Sequence, residues 1–193
     1  IKGILDDKIY DLTMEDPDEL SLMRFTPSSV LGTCRYKLAD FLSDDTDYKQ
    51  ILHIFTKYNI RYFFYNGGND SADAVRIVND NAAAAGYELR CIHIPKTIDN
   101  DLRVTDHCPG YGSAAKFVAS AFAGINLDNR SLPGVYIGVV MGRNAGFLTA
   151  SAAFAQKYED DGPHLIYMPE RAFDTETFLK DVDDVYNRFG RCV

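Results

Sequence analysis

The sequence lacks any apolar run of about 18 residues, the length that a membrane-spanning helix needs. No apolar segment typical of a secretory signal opens the chain. Positive charge is scarce as well, because 20 Lys and Arg face 28 Asp and Glu, which gives a net charge of -8. That balance argues against non-specific nucleic-acid binding, which depends on a positive field. We therefore expect neither a membrane nor a nucleic acid as a partner, although a few local cations can still bind an anionic substrate.

Paired cysteines are also missing. Cys34, Cys91, Cys108 and Cys192 form no C-x-x-C motif, which favours reduced thiols and a cytoplasmic protein over a disulfide framework. The 193 residues, 46% of them apolar and 12% aromatic, are enough for one globular domain with a core. The first residue is Ile1, not Met, which indicates a cut or a disordered start.

Helical patterns and short apolar strands alternate from residue 48 onward, which predicts a parallel sheet covered by helices. The predicted fold class is α/β, a three-layer, Rossmann-like, mostly parallel sheet with helices on both faces. We expect a single domain over 1–193, with an irregular entry region at 1–47 and the alternating core at 48–193. Strands are predicted at 61–65, 89–94, 135–140 and 165–168, and helices at 48–58, 71–85, 112–125, 145–158 and 175–188.

Ligands bind such sheets at the carboxyl ends of the strands, where three loops here carry unusual residues. The first loop reads "YNGGNDS". Gly67 and Gly68 permit positive φ and close backbone approach, and the N–H groups at the following helix start attract anions. An ordinary turn capped by Asn69, Asp70 or Ser71 explains the same residues, and for this loop alone it is the favoured interpretation.

The second loop reads "PKTIDND" and places one lysine and two acids directly after a strand. Asp99 and Asp101 have the chemistry of a general base and of a magnesium or electrostatic partner. Lys96 has the chemistry to hold a phosphate as a point charge. A solvated turn, whose side chains bond to their own backbone, explains this loop equally well.

The third loop reads "MGRNAG" and contains Arg143, which suits bidentate phosphate binding or a pair with a surface acid. Arg35 and Lys37 in "LGTCRYK" allow the same two interpretations. His107 and Cys108 match no zinc-ligand spacing, so we predict an ordinary loop there.

Together "GGNDS", "PKTIDNDL", "TDHCPGYGSAAK", "MGRNAGFLTA" and "MPERAFD" resemble the phosphofructokinase family in content and order. The resemblance covers about 30–178, and "LGTCRYKL" matches a further family loop. It implies the phosphofructokinase fold, phosphate transfer to the 1-hydroxyl of fructose 6-phosphate in glycolysis, Mg²⁺ as the cofactor and a homo-oligomer. It also implies an internal part of such an enzyme, because the family's first phosphate loop and its later sugar-binding region have no match.

The resemblance also implies a role for each matching residue. Asp99 takes the proton of the sugar hydroxyl, Asp101 lines the reacting centre, and Arg143 offsets charge in the transition state. The residues implied to bind the phosphate donor are Gly68, Asn69, Asp70, Ser71, Lys96 and Arg35, and those implied to bind the sugar phosphate are Thr97, Met141, Gly142 and Arg143.

Within the family, the residues at two positions distinguish members that use ATP from members that use pyrophosphate. ATP-using members with "GGDGS" and "PGTIDND" have glycine where Asp70 and Lys96 stand here. Asp70 would crowd and repel the α-phosphate of a nucleotide, whereas Lys96 would bind a compact pyrophosphate, so the resemblance is to the pyrophosphate-dependent branch. Asn69 replaces an aspartate that many members use near magnesium, and its amide oxygen is a ligand without charge. The resemblance implies Asp101 as a second candidate ligand of Mg²⁺.

Two alternatives stay open at this point. One is an ATP-dependent phosphofructokinase, and the other is an inactive fragment or pseudoenzyme that binds phosphate ligands.

Overall fold

The computed structural model describes residues 1–26, 28–39 and 41–193; Pro27 and Asp40 lie outside the described residues. Contacts divide the chain into a first unit, Ile1–Asn66 with Asp70–Ile94, and a second unit, Gly67–Asn69 with Pro95–Val193. Within the described ranges, no helix has both the length and the apolar character needed to cross a membrane. The helices and strands are α1 (Lys2–Leu5), α2 (Pro17–Leu22), α3 (Thr46–Lys57), β1 (Tyr62–Gly67), α4 (Asn69–Ala84), β2 (Arg90–Pro95), α5 (Tyr111–Ser131), α6 (Phe147–Ser151) and α7 (Thr175–Phe189).

The core of the first unit is the apolar face of α3. Tyr48, Ile51 and Phe55 follow one another at helical spacing, so they lie on one face, and all three are almost fully buried. The Phe55 ring centre lies 5.3 Å from that of Phe63 on β1. Val75 of α4 belongs to the same cluster. The helices predicted at 48–58 and 71–85 are thereby confirmed, with small shifts at their ends.

Strands β1 and β2 form a two-stranded sheet and run in the same direction. At one end the N–H of Arg90 donates to the carbonyl oxygen of Arg61 at 2.9 Å, and at the other the N–H of Lys96 donates to that of Gly67 at 3.0 Å. Both partners advance together along the chain, which is the parallel register. Helix α4 makes the crossover between the strands. The predicted α/β class with parallel pairing is confirmed.

Strand pairing in the second unit is limited to isolated contacts. Val135 and Cys192 form a single parallel bridge, and the N–H groups of His164 and Leu165 donate to the carbonyl oxygen of Val193 at 2.8 and 3.3 Å. The regular strands predicted at 135–140 and 165–168 are therefore wrong. Both segments are apolar, but their pairing among the described residues is limited to these contacts, which are too few for a regular ladder.

An apolar cavity of about 250 Å³ lies among these segments and the helices, with Phe122 of α5 and Val182 of α7 in its lining. Helix α6 ends at Ser151 and continues as a 3₁₀ turn, so the helix predicted at 145–158 is shorter than expected. Helix α7 begins as predicted, because the Asp174 carboxylate accepts the N–H of Thr177 at 2.8 Å.

Among the described residues of the entry region, α1 and α2 are short helices that were not predicted from the sequence. The Asp16 carboxylate accepts the N–H of Asp18 at 2.8 Å at the start of α2, and Pro17 occupies the first helical position. Aspartate as the cap followed by proline is a recognised start signal for a helix, and "EDPDEL" contained it.

A buried carboxylate holds together several segments of the second unit. Asp161 accepts hydrogen bonds from the side chains of Asn126 at 2.7 Å and Arg130 at 2.9 Å, and from the N–H groups of Lys157 and Tyr158 at 2.9 Å each. These hydrogen bonds hold the pKa of Asp161 well below its usual value of 3.8. The bond from the Lys157 N–H has the largest effect on this pKa, and the bond from the Arg130 guanidinium has the next largest. Asp161 is therefore the charged centre of this cluster.

Arg191 extends the cluster toward the last residues. Its guanidinium donates to the Asn126 side-chain oxygen at 3.0 Å and to the Asp160 carbonyl oxygen at 2.5 Å. Arg191 is buried, and that burial lowers its pKa. The ring nitrogen Nδ1 of His164 accepts the N–H of Val193 at 3.0 Å, which fixes the same segment from its other side.

We expect Asp161→Asn to lower the free energy of unfolding at pH 7 by about 2 kcal/mol, because a neutral oxygen replaces a charged acceptor of several hydrogen bonds. Since the folded-state pKa of Asp161 lies below the unfolded value of 3.8, its charge stabilises the fold fully above that pH and less as the pH falls below it. The difference in the free energy of unfolding between the wild type and Asp161→Asn should therefore be smaller at pH 3 than at pH 7. Urea unfolding followed by circular dichroism at both pH values measures it.

Asp160→Asn is the matched control. The Asp160 carboxylate pairs with Arg130 at 2.9 Å but is 49% exposed, whereas that of Asp161 is 7% exposed. The control should therefore lose less stability than Asp161→Asn. Equal losses in the two variants would contradict the central role of Asp161.

Candidate functional site

The ends of β1 and β2 bring two of the three predicted loops together within the second unit. The N–H of Lys96 donates to the carbonyl oxygen of Gly67, and a Cβ built on Gly68 would lie 3.9 Å from the Lys96 carbonyl oxygen. Gly68 does not adopt a positive φ, and the distance of 3.9 Å is an ordinary van der Waals contact, so neither positive φ nor close approach requires a glycine at this position.

Helix α4 starts at Asn69, so Asn69, Asp70 and Ser71 lie inside its first turn and do not cap it. Asn69 and Asp70 are exposed. An acid in the first turn is favourable because the helix dipole is positive there, which gives Asp70 a structural role as well. The Ser71 side chain forms a hydrogen bond with Tyr65. Burial is the main influence on the pKa of Tyr65 and raises it, whereas the hydrogen bond with Ser71 lowers it.

The loop after β2 is fixed by contacts with the segment that precedes α5. Thr97 forms a parallel bridge with Gly110. Asn100 has a φ of 57°, is buried, donates to the Asp106 carbonyl oxygen at 3.2 Å and accepts the Cys108 N–H at 2.8 Å. Asparagine tolerates this left-handed conformation better than most residues. Asn100 therefore clamps the loop, a role that was not predicted from the sequence.

The predicted catalytic acid lies in this clamped loop. The Asp99 N–H donates to the Thr97 hydroxyl at 3.1 Å, which closes a tight turn. Its side-chain oxygen Oδ1 is buried and has no hydrogen-bond partner among the described residues. Lys96 and Asp101, on either side, are exposed. A buried acceptor without a partner calls for an explanation, and a ligand that donates a hydrogen bond supplies one.

The "MGRNAG" loop is a strained turn that presents Arg143. Gly142 has a φ of +118°, and a Cβ built on it would lie 2.2 Å from the Ala145 carbonyl oxygen, so only glycine fits there. The Ala145 N–H donates back to the Gly142 carbonyl oxygen at 3.4 Å. Met141 and Arg143 are exposed, and Arg143 forms no hydrogen bond or ion pair within the part of the chain that the structure describes.

Aromatic rings connect the two loops of the second unit. The Tyr111 ring, at the start of α5, lies 6.0 Å from the His107 ring and 6.1 Å from the Phe147 ring at the start of α6. The segment that pairs with Thr97 and the segment that follows Arg143 are therefore neighbours. Direct hydrogen bonds between the Lys96–Asp101 loop and Met141–Arg143 are not present among the described residues.

The remaining predicted residues fall elsewhere or in ordinary loops. Arg35 belongs to the first unit and is exposed in an irregular segment. His107 is exposed and Cys108 is buried as part of the loop that Asn100 clamps, as predicted. All four cysteines are free thiols. Across residues 1–26, 28–39 and 41–193, no group of three or more His, Cys, Asp or Glu side chains is placed to hold a metal ion.

Comparison with known proteins gives long matches. The family described as Phosphofructokinase matches residues 1–192. A protein of Rhodospirillum rubrum named pyrophosphate–fructose 6-phosphate 1-phosphotransferase is 58% identical over the whole of this chain, which covers 46% of that protein. One of the same name from Xanthomonas campestris is 43% identical, again over the whole chain and 47% of that protein. An ATP-dependent 6-phosphofructokinase of Actinobacillus pleuropneumoniae is 31% identical over 83% of this chain and 46% of its own length.

Solved structures agree with these matches. A pyrophosphate-dependent phosphofructokinase from Marinobacter aquaeolei superposes with a TM-score of 0.86 and 39% identity, over 100% of this chain and 48% of that one. The chain thus spans about half the length of the relatives that it matches. The predicted phosphofructokinase fold is confirmed, and the chain belongs to the phosphofructokinase family.

Proposed function

We propose that this chain carries the donor-side and catalytic region of a phosphotransferase that uses pyrophosphate. The reaction transfers one phosphoryl group to the 1-hydroxyl of fructose 6-phosphate and yields fructose 1,6-bisphosphate and phosphate, a step of glycolysis. The Rhodospirillum rubrum and Xanthomonas campestris relatives, whose names state this activity, support the proposal. Identity to the ATP-dependent relative is lower, 31% against 58%.

One observation carries the proposal, the Asp99 side chain. Its Oδ1 is buried and lacks a hydrogen-bond partner among the described residues, so the loop contains an unsatisfied acceptor, to which we assign the proton of the substrate hydroxyl. As that proton moves to Asp99, the sugar oxygen forms a bond to phosphorus. The bond from phosphorus to the bridging oxygen of pyrophosphate breaks, and phosphate leaves. The clamp at Asn100 holds the backbone beside Asp99 during this exchange.

Arg143 supplies positive charge for the phosphoryl group. Phosphoryl transfer depends mainly on positioning and on charge stabilisation, and a guanidinium offers both through its fork of donors. The strained turn at Gly142 keeps Arg143 exposed and without an internal partner in the described residues. Met141 is 61% exposed next to it, and the Thr97 hydroxyl lies in the Asp99 turn, so we assign both to sugar-phosphate binding.

Donor selection rests on Asp70 and Lys96. Both side chains are exposed, Asp70 in the first turn of α4 and Lys96 directly after β2. The negative charge of Asp70 disfavours a nucleotide α-phosphate, and the ammonium of Lys96 favours the compact, highly charged pyrophosphate. We also place Gly68 on the donor side, because it directly precedes the first turn of α4, where backbone N–H groups favour anions. We also place Ser71 and Arg35 on the donor side, on the family resemblance alone.

Mg²⁺ fits the residues at hand. This ion commonly takes one or two carboxylates and completes its shell with substrate phosphates and water, so a ready cluster of protein ligands is not needed. Asp101 is an exposed carboxylate beside the reacting loop, and the exposed amide of Asn69 is a neutral oxygen donor. Bound with pyrophosphate, Mg²⁺ would neutralise part of the charge on the phosphates. We assign Asp101 as the first protein ligand and Asn69 as a second.

We further propose a cytoplasmic homo-oligomer. Large apolar side chains support assembly, because Phe117 and Leu127 of α5 and Phe154 are 73%, 64% and 82% exposed. Four free thiols suit a reducing compartment. Sedimentation equilibrium gives the assembly state directly, and a monomer at micromolar concentration would contradict it.

Asp99→Asn is expected to lower turnover with pyrophosphate by about 10²- to 10⁴-fold, because the amide cannot take the hydroxyl proton. A coupled assay of fructose 1,6-bisphosphate formation measures the rate. Asp106→Asn is the control: it alters an exposed acid of the neighbouring segment whose backbone carbonyl makes the contact with Asn100. Turnover of Asp99→Asn within a few-fold of the wild type would refute the assignment of the base.

Replacement of both Asp70 and Lys96 by glycine is expected to shift the ratio of kcat/KM for ATP over pyrophosphate upward by about tenfold or more, because repulsion of the nucleotide and attraction of pyrophosphate are both removed. Steady-state kinetics with each donor measure this ratio. Asp73→Gly, at another exposed acid of α4, is the control and should leave the ratio unchanged. A wild-type protein that already prefers ATP would overturn the donor proposal.

A further inference from the structure

Glu170, in the "MPERAFD" segment, has no part in the function proposed so far. It follows the extended segment at 165–168 and precedes α7. Its carboxylate oxygen Oε1 accepts the backbone N–H of Gly146 at 2.7 Å, across 24 residues of chain. A charged acceptor at this distance makes a strong hydrogen bond.

The contact between Gly146 and the Glu170 segment leaves no spare room. A Cβ built on Gly146 would lie 2.6 Å from Oε2 of Glu170 and 2.9 Å from Cβ of Met168. Both distances are shorter than a side-chain carbon tolerates, and Gly146 itself is buried. The backbone at residue 146 therefore packs closely against residues 168–170, and the hydrogen bond to Glu170 fixes its orientation in this contact.

Gly146 closes the turn that carries Arg143. The turn runs from Gly142 to Ala145, and Gly146 follows it directly. The Gly146 carbonyl oxygen then accepts the N–H of Ala150 at 2.8 Å, which begins α6. The turn is thus held on one side by its own strained glycine and on the other by Glu170.

We propose that Glu170 is a positioning residue for Arg143. It anchors the end of the Met141–Gly146 loop, so that the guanidinium is presented in one place although it has no partner of its own in the described part of the chain. This inference rests on the proposed function of Arg143. Glu170 itself touches the backbone at Gly146, not a reacting group.

Three variants test the anchor: Glu170→Ala removes the acceptor, Glu170→Gln keeps a neutral one, and Glu176→Ala removes an exposed acid in the first turn of α7. Hydrogen exchange of the Gly146 amide should be about tenfold or more faster in Glu170→Ala, close to wild type in Glu170→Gln, and unchanged in Glu176→Ala. Unchanged exchange in Glu170→Ala would overturn the anchor, whether or not the protein is active.

Kinetics test whether the anchor acts through Arg143. Glu170→Ala should lower kcat/KM for fructose 6-phosphate by about tenfold and leave the KM for pyrophosphate unchanged, and Glu170→Gln should restore most of the loss. In an Arg143→Ala background, Glu170→Ala should add little, because residues that act as a unit are not additive. Fully additive losses would overturn the positioning role. A wild type without turnover would instead refute the proposed function, and hydrogen exchange at Gly146 would then decide by itself whether Glu170 anchors the loop.

Discussion

The backbone hydrogen bond between Lys96 and Gly67 sets the level at which both strands of the sheet end. Because the pair is parallel, the chain leaves both strands at the same edge, and the segment at 67–69 starts beside the segment at 95–101. A shift of one residue would turn every side chain of one strand to the opposite face. The location of Asp99 therefore depends on a backbone contact several residues away from it.

The other loops of the second unit are positioned by contacts that link each loop to the next, beginning at that edge of the sheet. Thr97 pairs with Gly110, which lies next to the first residue of α5, and the ring of Tyr111 meets that of Phe147 at the start of α6. Glu170 then accepts the N–H of Gly146 at the same helix start. Each loop is thus fixed through its backbone, while the side chains of Lys96, Asp101 and Arg143 stay exposed. This division suits a site that must be preorganised and still accept highly charged ligands.

Much of the fold followed from local patterns in the sequence. The helices α3, α4 and α7 were predictable because their apolar spacing and, for α7, the Asp174 cap are local signals. The extended segment at 135–140 was not, since its apolar content is that of a strand but a ladder depends on a partner distant in sequence.

The same limit applies to the candidate site. Loops with chemically active side chains could be found because they follow strands, and the family resemblance ordered them. Asn100 and Glu170 were missed because each acts on the backbone of a different segment. The only local signal for Asn100 was its tolerance of positive φ, and Glu170 carried none beyond its place in a shared motif.

The buried cluster around Asp161 has a consequence for the order in which the chain matures. Arg191 reaches Asn126 across 65 residues, so the polar groups at the end of α5 leave the ribosome well before their last partner exists. Closing a loop of that length costs conformational entropy before any contact forms. Among the described residues, the core cluster of the first unit consists of side chains from Ile1 to Cys91. During synthesis all of these side chains are therefore in the chain before Arg191 joins the cluster of the second unit.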